Sequence, residues 1–347
     1  MTEIPATMRA MVLERFGEPL VERTVPVPEI GPDDALVRIR ACSVCGTDLK
    51  ITSGKFEGVP LPHIPGHEPA GEVVALGANV RNVSVGDHVA VAIYLNCGEC
   101  DYCRTDREQI CTHLRGRLGF TVNGAYAEYL VVPASALDVV RADVPFEHIA
   151  LLGDCITTAW HALTARGHLR AGQWLYMTGA GGIGLHAIQM AKRLDAHVAV
   201  VDVDDEKLRL AEKFGADLTV NSRRDDPVAR VQETVGGDGV DVAVDFVSAQ
   251  ATLDADFAVL RPGGTLVLIG YTPDAPSAVR TMDIVLKEFR VQGSRAAGRK
   301  ELAEMISWLE NRRIEPVISR TYALSEVNQA LEDLRNGSIT GRAVILP

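Results

Sequence analysis

Short apolar runs separated by turn residues dominate the first part of the chain. Up to about residue 150 the sequence is rich in valine, glycine and proline, with apolar runs such as 35–39, 71–76 and 88–93. Runs of this length between turns are typical of β-strands, and no convincing long helix is predicted before residue 145. We therefore predict a β-rich domain.

Beyond residue 150 the pattern changes to an alternation of strands and helices. Strands are predicted at 173–178, 197–202, 240–244, 265–269 and 289–292, and helices at 185–194, 206–214 and 251–260. Alternating units of this length are typical of a doubly wound parallel α/β sheet. Near residue 293 the alternation stops, and helices at 300–311 and 325–335 precede a last strand at 343–346. We expect this tail to return to the first domain.

Length, composition and charge narrow the class of protein. A chain of 347 residues exceeds the usual size of one domain, so two domains are expected. The net charge of −11 disfavours nucleic acid or anionic membranes as partners. The N-terminus does not have the pattern of a signal peptide, and no apolar run approaches the roughly 20 residues of a membrane span. We expect a cytoplasmic protein.

The cysteines point to metal binding rather than to a disulfide scaffold. Four of the seven follow the spacing C-x2-C-x2-C-x7-C; they are Cys97, Cys100, Cys103 and Cys111. Four thiolates this close can complete a tetrahedral shell, which predicts a structural zinc site. An iron–sulfur cluster and simple packing of some cysteines are the alternatives. A zinc ribbon that binds nucleic acid is disfavoured by the acidic charge.

A glycine-rich turn lies between the first predicted strand and helix of the alternating region. It contains Gly179, Gly181, Gly182, Ile183 and Gly184. Such glycines let the backbone approach a pyrophosphate, and the helix N-terminus favours its negative charge. Asp202 ends the next strand, 23 residues after Gly179, where a carboxylate binds ribose hydroxyls and repels a 2′-phosphate. This predicts NAD rather than NADP, unless the turn has no ligand or Asp202 only caps a helix.

Two short motifs in the β-rich part carry further ligand types. Cys45 lies in Cys-Gly-Thr-Asp, and His67 lies in Gly-His-Glu. A thiolate and an imidazole are ligands of catalytic zinc sites, which keep one position open. Asp48 could orient the His67 ring by accepting its second N–H. The alternatives are a buried cysteine and histidine without a metal, a redox pair or other metal site with Cys42, and Asp48 as a helix N-cap.

Taken together, these motifs resemble in order and approximate spacing those of the zinc-dependent medium-chain alcohol dehydrogenases. The resemblance covers the whole chain. It implies a GroES-like catalytic domain from residues 1–153 and 293–347, around a Rossmann domain at 154–292. It also implies NAD, one catalytic and one structural zinc ion per chain, and a homo-oligomer, with a tetramer favoured over a dimer. The implied chemistry is Lewis-acid catalysis, in which zinc lowers the pKa of the alcohol and hydride passes to NAD.

The third protein ligand of the catalytic zinc is assigned by the same resemblance. Residues 151–161 are similar to a D-x-x-T-T-x-x-H variant found in bacterial secondary-alcohol dehydrogenases, which implies Asp154 as the ligand. Cys155 is the rival, because thiolates are common zinc ligands. Glu68 resembles the family's alternate ligand, which approaches zinc when the substrate position exchanges; otherwise it is a nearby carboxylate that never coordinates.

Four further roles are implied by the resemblance. Thr47 matches the hydroxyl residue that takes the alcohol proton, unless it only packs beside the metal. Lys50 stands where many members have a proton-relaying histidine, so either the lysine or a water chain takes that role. Lys207 resembles the lysine at the adenosine ribose, and Arg342 resembles the arginine at the pyrophosphate. For these two cations a solvated surface position is the alternative.

The predicted function is an NAD-dependent alcohol dehydrogenase for secondary or bulky, aromatic alcohols. The substrate class rests on Asp154 and on the apolar residues Ile93, Phe120 and Trp160. A polyol or amino-alcohol (threonine-type) dehydrogenase on the same scaffold is the main alternative. A zinc-free quinone or enoyl reductase is disfavoured, because that branch generally lacks these ligands. A non-catalytic zinc-containing binding module is the alternative from another class, for which one zinc per chain instead of two is expected.

Overall fold

The fold is described from a computed structural model that covers residues 4–271 and 276–347. The chain forms two compact units, Met1–Asp154 with Ala297–Pro347, and Cys155–Ala296. The sequence predicted boundaries after residues 153 and 292, which lie one residue and four residues before the junctions after Asp154 and Ala296. Within the described ranges, no helix combines the length and the apolar composition needed to cross a membrane.

The first segment of the chain consists of strands joined by turns and short helices. Its strands are β1 (Thr7–Val12), β2 (Val21–Pro26), β3 (Asp34–Val44), β4 (Glu68–Leu76), β5 (His88–Val91), β6 (Tyr94–Leu95), β7 (Gly116–Arg117), β8 (Tyr129–Pro133) and β9 (Leu137–Val140). Its helices are α1 (Gly46–Thr52), α2 (Asp101–Arg104) and α3 (Phe146–Ala150). All three helices are short, in agreement with the prediction of a β-rich domain.

The middle segment alternates strands and helices. Its helices are α4 (Thr157–His161), α5 (Gly182–Arg193), α6 (Asp205–Lys213), α7 (Pro227–Val235), α8 (Gln250–Val259) and α9 (Thr281–Leu286). Its strands are β10 (Trp174–Thr178), β11 (His197–Asp202), β12 (Leu218–Asn221), β13 (Val240–Asp245), β14 (Leu260–Leu268) and β15 (Arg290–Gly293). The last segment adds α10 (Arg299–Glu310), α11 (Val327–Arg335), β16 (Ile318–Ala323) and β17 (Arg342–Leu346).

The main sheet of the first unit has the order β16-β17-β3-β4-β5-β9, and β8 also pairs with β3. The last strand, β17, runs antiparallel to β3, with Ile345 opposite Cys42. The expected return of the tail to the β-rich part is therefore confirmed. Apolar side chains of β1, β3, β4, β5 and β17 form one buried core together with residues of α11.

The second unit contains a parallel sheet with the order β12-β11-β10-β13-β14-β15. This is the strand order of a Rossmann fold, which confirms the predicted doubly wound sheet. Strand β12 and helices α7 and α9 were not predicted. The start of α7 does carry a sequence signal, because Asp226 caps the helix and Pro227 occupies its first turn.

A buried carboxyl group, Asp256 of α8, lies inside the second unit. It is fully buried, and its Oδ1 accepts a hydrogen bond of 3.2 Å from the Thr178 hydroxyl at the end of β10. Burial and the neighbouring Asp245 carboxylate raise the pKa of Asp256 well above its ordinary value of 3.8. The folded chain therefore holds a proton that the unfolded chain releases more readily.

This raised pKa predicts a pH-dependent loss of stability. The contribution of protonated Asp256 to the free energy of unfolding is complete below the pKa that Asp256 has in the unfolded chain. This contribution is lost as the pH rises through the pKa that Asp256 has in the folded chain, with a slope of up to about 1.4 kcal/mol per pH unit. Asp256→Asn keeps the size of the side chain and removes the proton. We expect its melting temperature to fall less steeply than that of the wild type as the pH rises above about 4, the ordinary pKa of an aspartate.

The matched control for this comparison is Asp254→Asn, on an exposed position of the same helix. Calorimetric melts of the three proteins over the same buffers give the slopes directly. Equal slopes for wild type and Asp256→Asn would show that Asp256 is ionised in the folded chain.

Candidate functional site

The pairing of β3 with β4 brings Cys45 and His67 together. Ser43 lies opposite Glu68 in this antiparallel register, so the residues that follow β3 lie beside those that precede β4. Cys45 follows the end of β3 and immediately precedes α1, while His67 immediately precedes β4. The two predicted motifs thus meet at one end of a strand pair.

Asp154 joins these residues from the end of the first segment. It lies in Leu152–Ile156, a π-helical turn of the kind that often marks functional positions. One donor atom from each of Cys45, His67, Glu68 and Asp154 lies within 4.8 Å of the other three. We refer to these four residues as the mixed-ligand cluster.

The spacing of the donor atoms fits a divalent metal ion. Cys45 Sγ lies 3.9 Å from Asp154 Oδ2, and His67 Nε2 lies 3.8 Å from both Asp154 Oδ2 and Glu68 Oε1. Tetrahedral zinc with bonds of about 2.0–2.3 Å places its ligand atoms roughly 3.3–3.8 Å apart. His67 Nε2 is buried and has no hydrogen-bond partner within the described part of the chain. The cluster therefore needs only a small contraction to surround such an ion.

Asp48 determines which nitrogen of His67 faces the cluster. Its Oδ1 lies 3.0 Å from His67 Nδ1, and its Oδ2 accepts hydrogen bonds from the Cys45 N–H at 2.9 Å and from the Tyr126 hydroxyl at 2.8 Å. When Nδ1–H donates to Asp48, the lone pair of Nε2 points to the other donors. Asp48 is the third residue of α1 and Cys45 is its N-cap, so the reading of Asp48 as the N-cap is wrong.

The cluster is crowded with acidic groups. Burial opposes a charged His67 ring, but the Asp48 carboxylate and the contacts with Asp154 and Cys45 raise the pKa of His67 well above 6.5. Burial raises the pKa of Glu68 to about 7, while the Arg342 guanidinium, 3.0 Å from Glu68 Oε1, opposes that rise. The two shifts have different main causes, since the Asp48 carboxylate favours a charged His67 ring whereas loss of solvent disfavours a charged Glu68.

Cys155 and Cys42, the competing thiols, lie outside the mixed-ligand cluster. Cys155 Sγ lies 3.5 Å from His186 Nδ1 and 3.4 Å from the carbonyl oxygen of Gly182. Cys42 Sγ contacts the carbonyl oxygen of Ser43 at 3.8 Å, and burial raises the pKa of its thiol. The geometry favours Asp154 over Cys155 as the third donor.

The four predicted cysteines form a second group of donors, the four-cysteine cluster. Four sulfur pairs among Cys97, Cys100, Cys103 and Cys111 are 3.5–3.8 Å apart, and all four thiols are free. A single tetrahedral zinc with bonds of about 2.3 Å gives sulfur separations of roughly 3.8 Å. An iron–sulfur cluster distributes its cysteines over several irons and needs wider separations. Backbone N–H groups lower the pKa of Cys97 and Cys100, to about 5 for Cys100, which favours thiolates at these two positions, whereas burial raises the pKa of Cys103 to about 12.

The glycine-rich turn connects β10 to α5 as predicted. Gly179 has φ +102°, a conformation that L side chains rarely adopt, and a Cβ on Gly184 would lie 2.2 Å from the Gly179 carbonyl oxygen. Gly181 precedes the first turn of α5, which contains Gly182, Ile183 and Gly184. The helix N-terminus is therefore reached by a turn that only glycine can form.

Asp202 ends β11 and lies directly beside this turn. Its Oδ2 accepts the Ala180 N–H at 2.7 Å, and its Oδ1 accepts the N–H groups of Val203 at 2.7 Å and Asp204 at 3.0 Å. The N-cap of α6 is Asp204, whose side chain accepts the N–H groups of Glu206 and Lys207. The reading of Asp202 as a helix N-cap is therefore wrong.

The remaining predicted residues take distinct positions. Thr47 and Lys50 are half-buried in α1, and burial lowers the pKa of Lys50. Lys207 is half-buried in α6 of the second unit. Arg342 is only 5% exposed and donates to the Val44 carbonyl oxygen at 3.0 Å, so the reading of Arg342 as a surface charge is wrong.

An apolar wall borders the mixed-ligand cluster. Phe120 lies 5.0 Å from the His67 ring, centroid to centroid, and packs in one buried group with Ile51 and Ile93. Trp160 is buried in α4 of the second unit. Two of the three apolar residues predicted near the site are thus gathered beside His67.

Sequence reasoning missed two contacts of the site. Tyr126 lies 78 positions from Asp48, and the pairing of Arg342 with Glu68 joins the start of β17 to the start of β4. Neither residue stands in a metal-ligand motif. A weak signal was present in Tyr126, because a buried tyrosine usually finds a partner for its hydroxyl.

Comparisons with known proteins bear on the class of this one. A family model described as "Alcohol dehydrogenase GroES-like domain" matches residues 31–142, and one described as "Zinc-binding dehydrogenase" matches residues 182–311. An alcohol dehydrogenase of Geobacillus stearothermophilus is 36% identical over 342 residues, covering 97% of this chain and 98% of that protein. An NAD-dependent alcohol dehydrogenase of Sulfolobus acidocaldarius is 33% identical over 351 residues, covering 97% and 99%.

A solved structure has the same architecture. Acetophenone reductase from Geotrichum candidum, in complex with NAD, aligns with a TM-score of 0.90 at 27% identity, covering 99% of this chain and 98% of that one. A Rossmann sheet and a mixed-ligand cluster in one chain define a metal-dependent oxidoreductase. The chain belongs to the zinc-dependent alcohol dehydrogenase family. The predicted fold class, a GroES-like domain with a Rossmann domain, is confirmed, as is the predicted class of enzyme.

Adjacent residues allow a direct test of the third donor. Asp154→Ala removes a carboxylate oxygen from the mixed-ligand cluster, so we expect the purified protein to fall from two zinc ions per chain to one. Cys155→Ser changes the neighbouring residue, whose sulfur faces His186, and should keep two zinc ions. Elemental analysis after dialysis measures both. Loss of one zinc from Cys155→Ser, with two retained by Asp154→Ala, would reverse the assignment.

Proposed function

We propose that the protein is an NAD-dependent dehydrogenase of secondary alcohols, with a preference for bulky or aromatic substrates, and that it works in both directions. The catalytic zinc is held by Cys45, His67 and Asp154, and the four-cysteine cluster holds a structural zinc. The observation that carries the proposal is the mixed-ligand cluster, in which the orphaned His67 Nε2 lies 3.8 Å from Asp154 Oδ2.

The donor set balances the charge of the ion it would hold. Cys45 and Asp154 contribute two negative charges and His67 a neutral nitrogen. When bound, Zn²⁺ supplies a Lewis acid that lowers the pKa of an alcohol hydroxyl. Asp48 keeps the His67 ring in its ligand orientation through the 3.0 Å contact with Nδ1.

Proton removal is assigned to α1. Thr47 lies two residues beyond Cys45, and in this proposal its hydroxyl accepts the proton of the substrate hydroxyl while its own proton passes on towards the neutral amine of Lys50. Lys50 lies one helical turn further on, and its lowered pKa makes it a better proton carrier than an ordinary lysine. Lys50 takes the place of the histidine that many relatives use.

Glu68 is proposed as an alternate donor. Its Oε1 is 3.8 Å from His67 Nε2, so the carboxylate lies within reach of the same ion. The ion pair with Arg342 competes with a metal ion for the Glu68 carboxylate, so we do not propose Glu68 as a permanent ligand. Loss of that ion pair would free Glu68 to compete with a substrate oxygen.

The cofactor assignment to NAD rests on the second unit. The turn at Gly179 leads into the N-terminus of α5, which favours the negative charge of a pyrophosphate. NAD supplies the acceptor of the hydride. Asp202 offers its carboxylate to the ribose hydroxyls, and Lys207 lies five residues further along, in α6. We propose that both contact the adenosine end, whereas the pyrophosphate contact of Arg342 remains a prediction.

Removing the charge of Asp202 should weaken discrimination between the two nicotinamide cofactors. Asp202→Asn loses its repulsion of a 2′-phosphate, so we expect the ratio of kcat/KM for NAD to that for NADP to fall about tenfold or more. Asp204→Asn is the matched control, since asparagine also caps helices well. Steady-state rates with both cofactors decide the question. A wild-type enzyme that prefers NADP would contradict the role of Asp202.

The substrate class is inferred from the apolar wall and from one relative. Phe120 packs against the His67 ring and shares a buried group with Ile93, and both side chains offer little to the hydroxyls of a polyol. The related acetophenone reductase carries an aromatic ketone in its name. Both observations favour an aryl or branched secondary alcohol over a polyol or an amino alcohol.

A screen for NADH formation tests the proposed function. We expect turnover of secondary and aromatic alcohols to exceed that of primary alcohols, polyols and threonine, because only apolar groups gain from contact with Phe120 and Ile93. The wild type after removal of zinc by a chelator is the control. Turnover confined to polyols would move the assignment to the alternative. No turnover of any alcohol with two zinc ions bound would contradict the proposal.

The exposed face of α9 bears on the assembly of the protein. The edge strand β15 follows the helix α9, on which Met282, Val285 and Leu286 are 56–74% exposed. An apolar surface beside an unpaired strand edge is typical of an interface between subunits. We therefore propose a homo-oligomer, with a tetramer favoured over a dimer, that works in the cytoplasm on a small-molecule substrate without nucleic acid or membrane partners.

A further inference from the structure

Tyr126 contacts the metal site through a residue that is not itself a ligand. Its hydroxyl donates to Asp48 Oδ2 at 2.8 Å, while Asp48 Oδ1 faces His67 Nδ1 at 3.0 Å. Tyr126 and Asp48 are both fully buried. A hydroxyl that donates to a buried carboxylate fixes the plane of that carboxylate, and with it the direction in which the other oxygen accepts.

The backbone of Tyr126 holds the segment that leads to His67. The N–H groups of Gly124, Ala125 and Tyr126 donate to the carbonyl oxygens of Ile64, Gly66 and Pro65 at 2.6, 2.9 and 3.0 Å. Gly66 has φ +93°, and a Cβ there would lie 2.7 Å from the Tyr126 ring. The same residue therefore packs against the main chain before His67 and hydrogen-bonds the carboxylate behind its ring.

We propose that Tyr126 is a positioning residue of the catalytic zinc site: its hydroxyl locks the Asp48 carboxylate, which in turn aims His67 Nε2 at the ion. The inference rests on the proposed function, because it needs zinc in the mixed-ligand cluster. Burial and the Asp48 charge raise the pKa of Tyr126 well above its ordinary value of 10, so the phenol remains a hydrogen-bond donor.

The test compares two tyrosine-to-phenylalanine variants. Tyr126→Phe removes the hydroxyl from Asp48, whereas Tyr176→Phe removes a buried hydroxyl that has no hydrogen-bond partner among the residues described. We expect Tyr126→Phe to release its catalytic zinc to a chelator about tenfold more readily than the wild type, at the lower end of the effect of losing a direct partner of a metal ligand, because Tyr126 acts through Asp48. Tyr176→Phe should match the wild type.

A spectroscopic measurement separates positioning from a general loss of stability. With Co²⁺ in the mixed-ligand cluster, Tyr126→Phe should shift the visible absorption bands, because they report the geometry of the ligands around the ion. The spectrum of Tyr176→Phe should stay unchanged even if that variant melts at a lower temperature. A shift shared by both variants would overturn the proposal.

The path through Asp48 is tested with a double variant. In an Asp48→Asn background, Tyr126→Phe should change zinc release by less than about twofold, since the carboxylate it acts on is gone. Full additivity would overturn the assigned path. Unchanged zinc release and an unchanged cobalt spectrum in Tyr126→Phe would overturn the role of Tyr126 and would leave the proposed function standing. A wild type that binds no metal in the mixed-ligand cluster would overturn the proposed function and this inference together.

Discussion

Asp48 has 0% exposure, and three hydrogen bonds hold its carboxylate in place. A buried carboxylate is costly unless each oxygen finds donors, and here the donors come from three separate parts of the chain. One is the backbone at the start of α1, one is the His67 ring before β4, and one is the Tyr126 phenol before β8. Because one carboxylate joins all three, its position decides whether Cys45 and His67 face a common point.

The second constraint is the crowding of acidic groups around that point. Glu68 and Asp154 bring carboxylates and Cys45 brings a thiol, all within a few ångströms of His67. Arg342 offsets the charge of Glu68 by an ion pair at 3.0 Å. A divalent cation would neutralise the remaining negative charge of Cys45 and Asp154. The same crowding of acidic groups that favours the ion therefore makes the stability of the site depend on that ion.

The sequence predicted the parts of the molecule that leave local signals. Cys45, His67, the four cysteines and the glycine turn stand in short motifs, and the structure places the members of each together. The contacts of Tyr126 and Arg342 could not be read in the same way, because they depend on how distant strands pair. Strand β12 gives a weak signal because Leu218–Asn221 alternates apolar and polar side chains for only two repeats, whereas α7 does carry a local signal, a capping Asp226 followed by Pro227.

The position of β17 has a consequence for the order in which the newly made chain can fold. This strand lies between β3 and β16, and Arg342 at its start supplies the guanidinium that faces Glu68. The second unit, Cys155–Ala296, is one continuous stretch of the chain, and domains generally fold as units during synthesis. The first unit can be completed only after the second has been synthesised, because its main sheet and the guanidinium that faces Glu68 both need the segment that begins at Ala297.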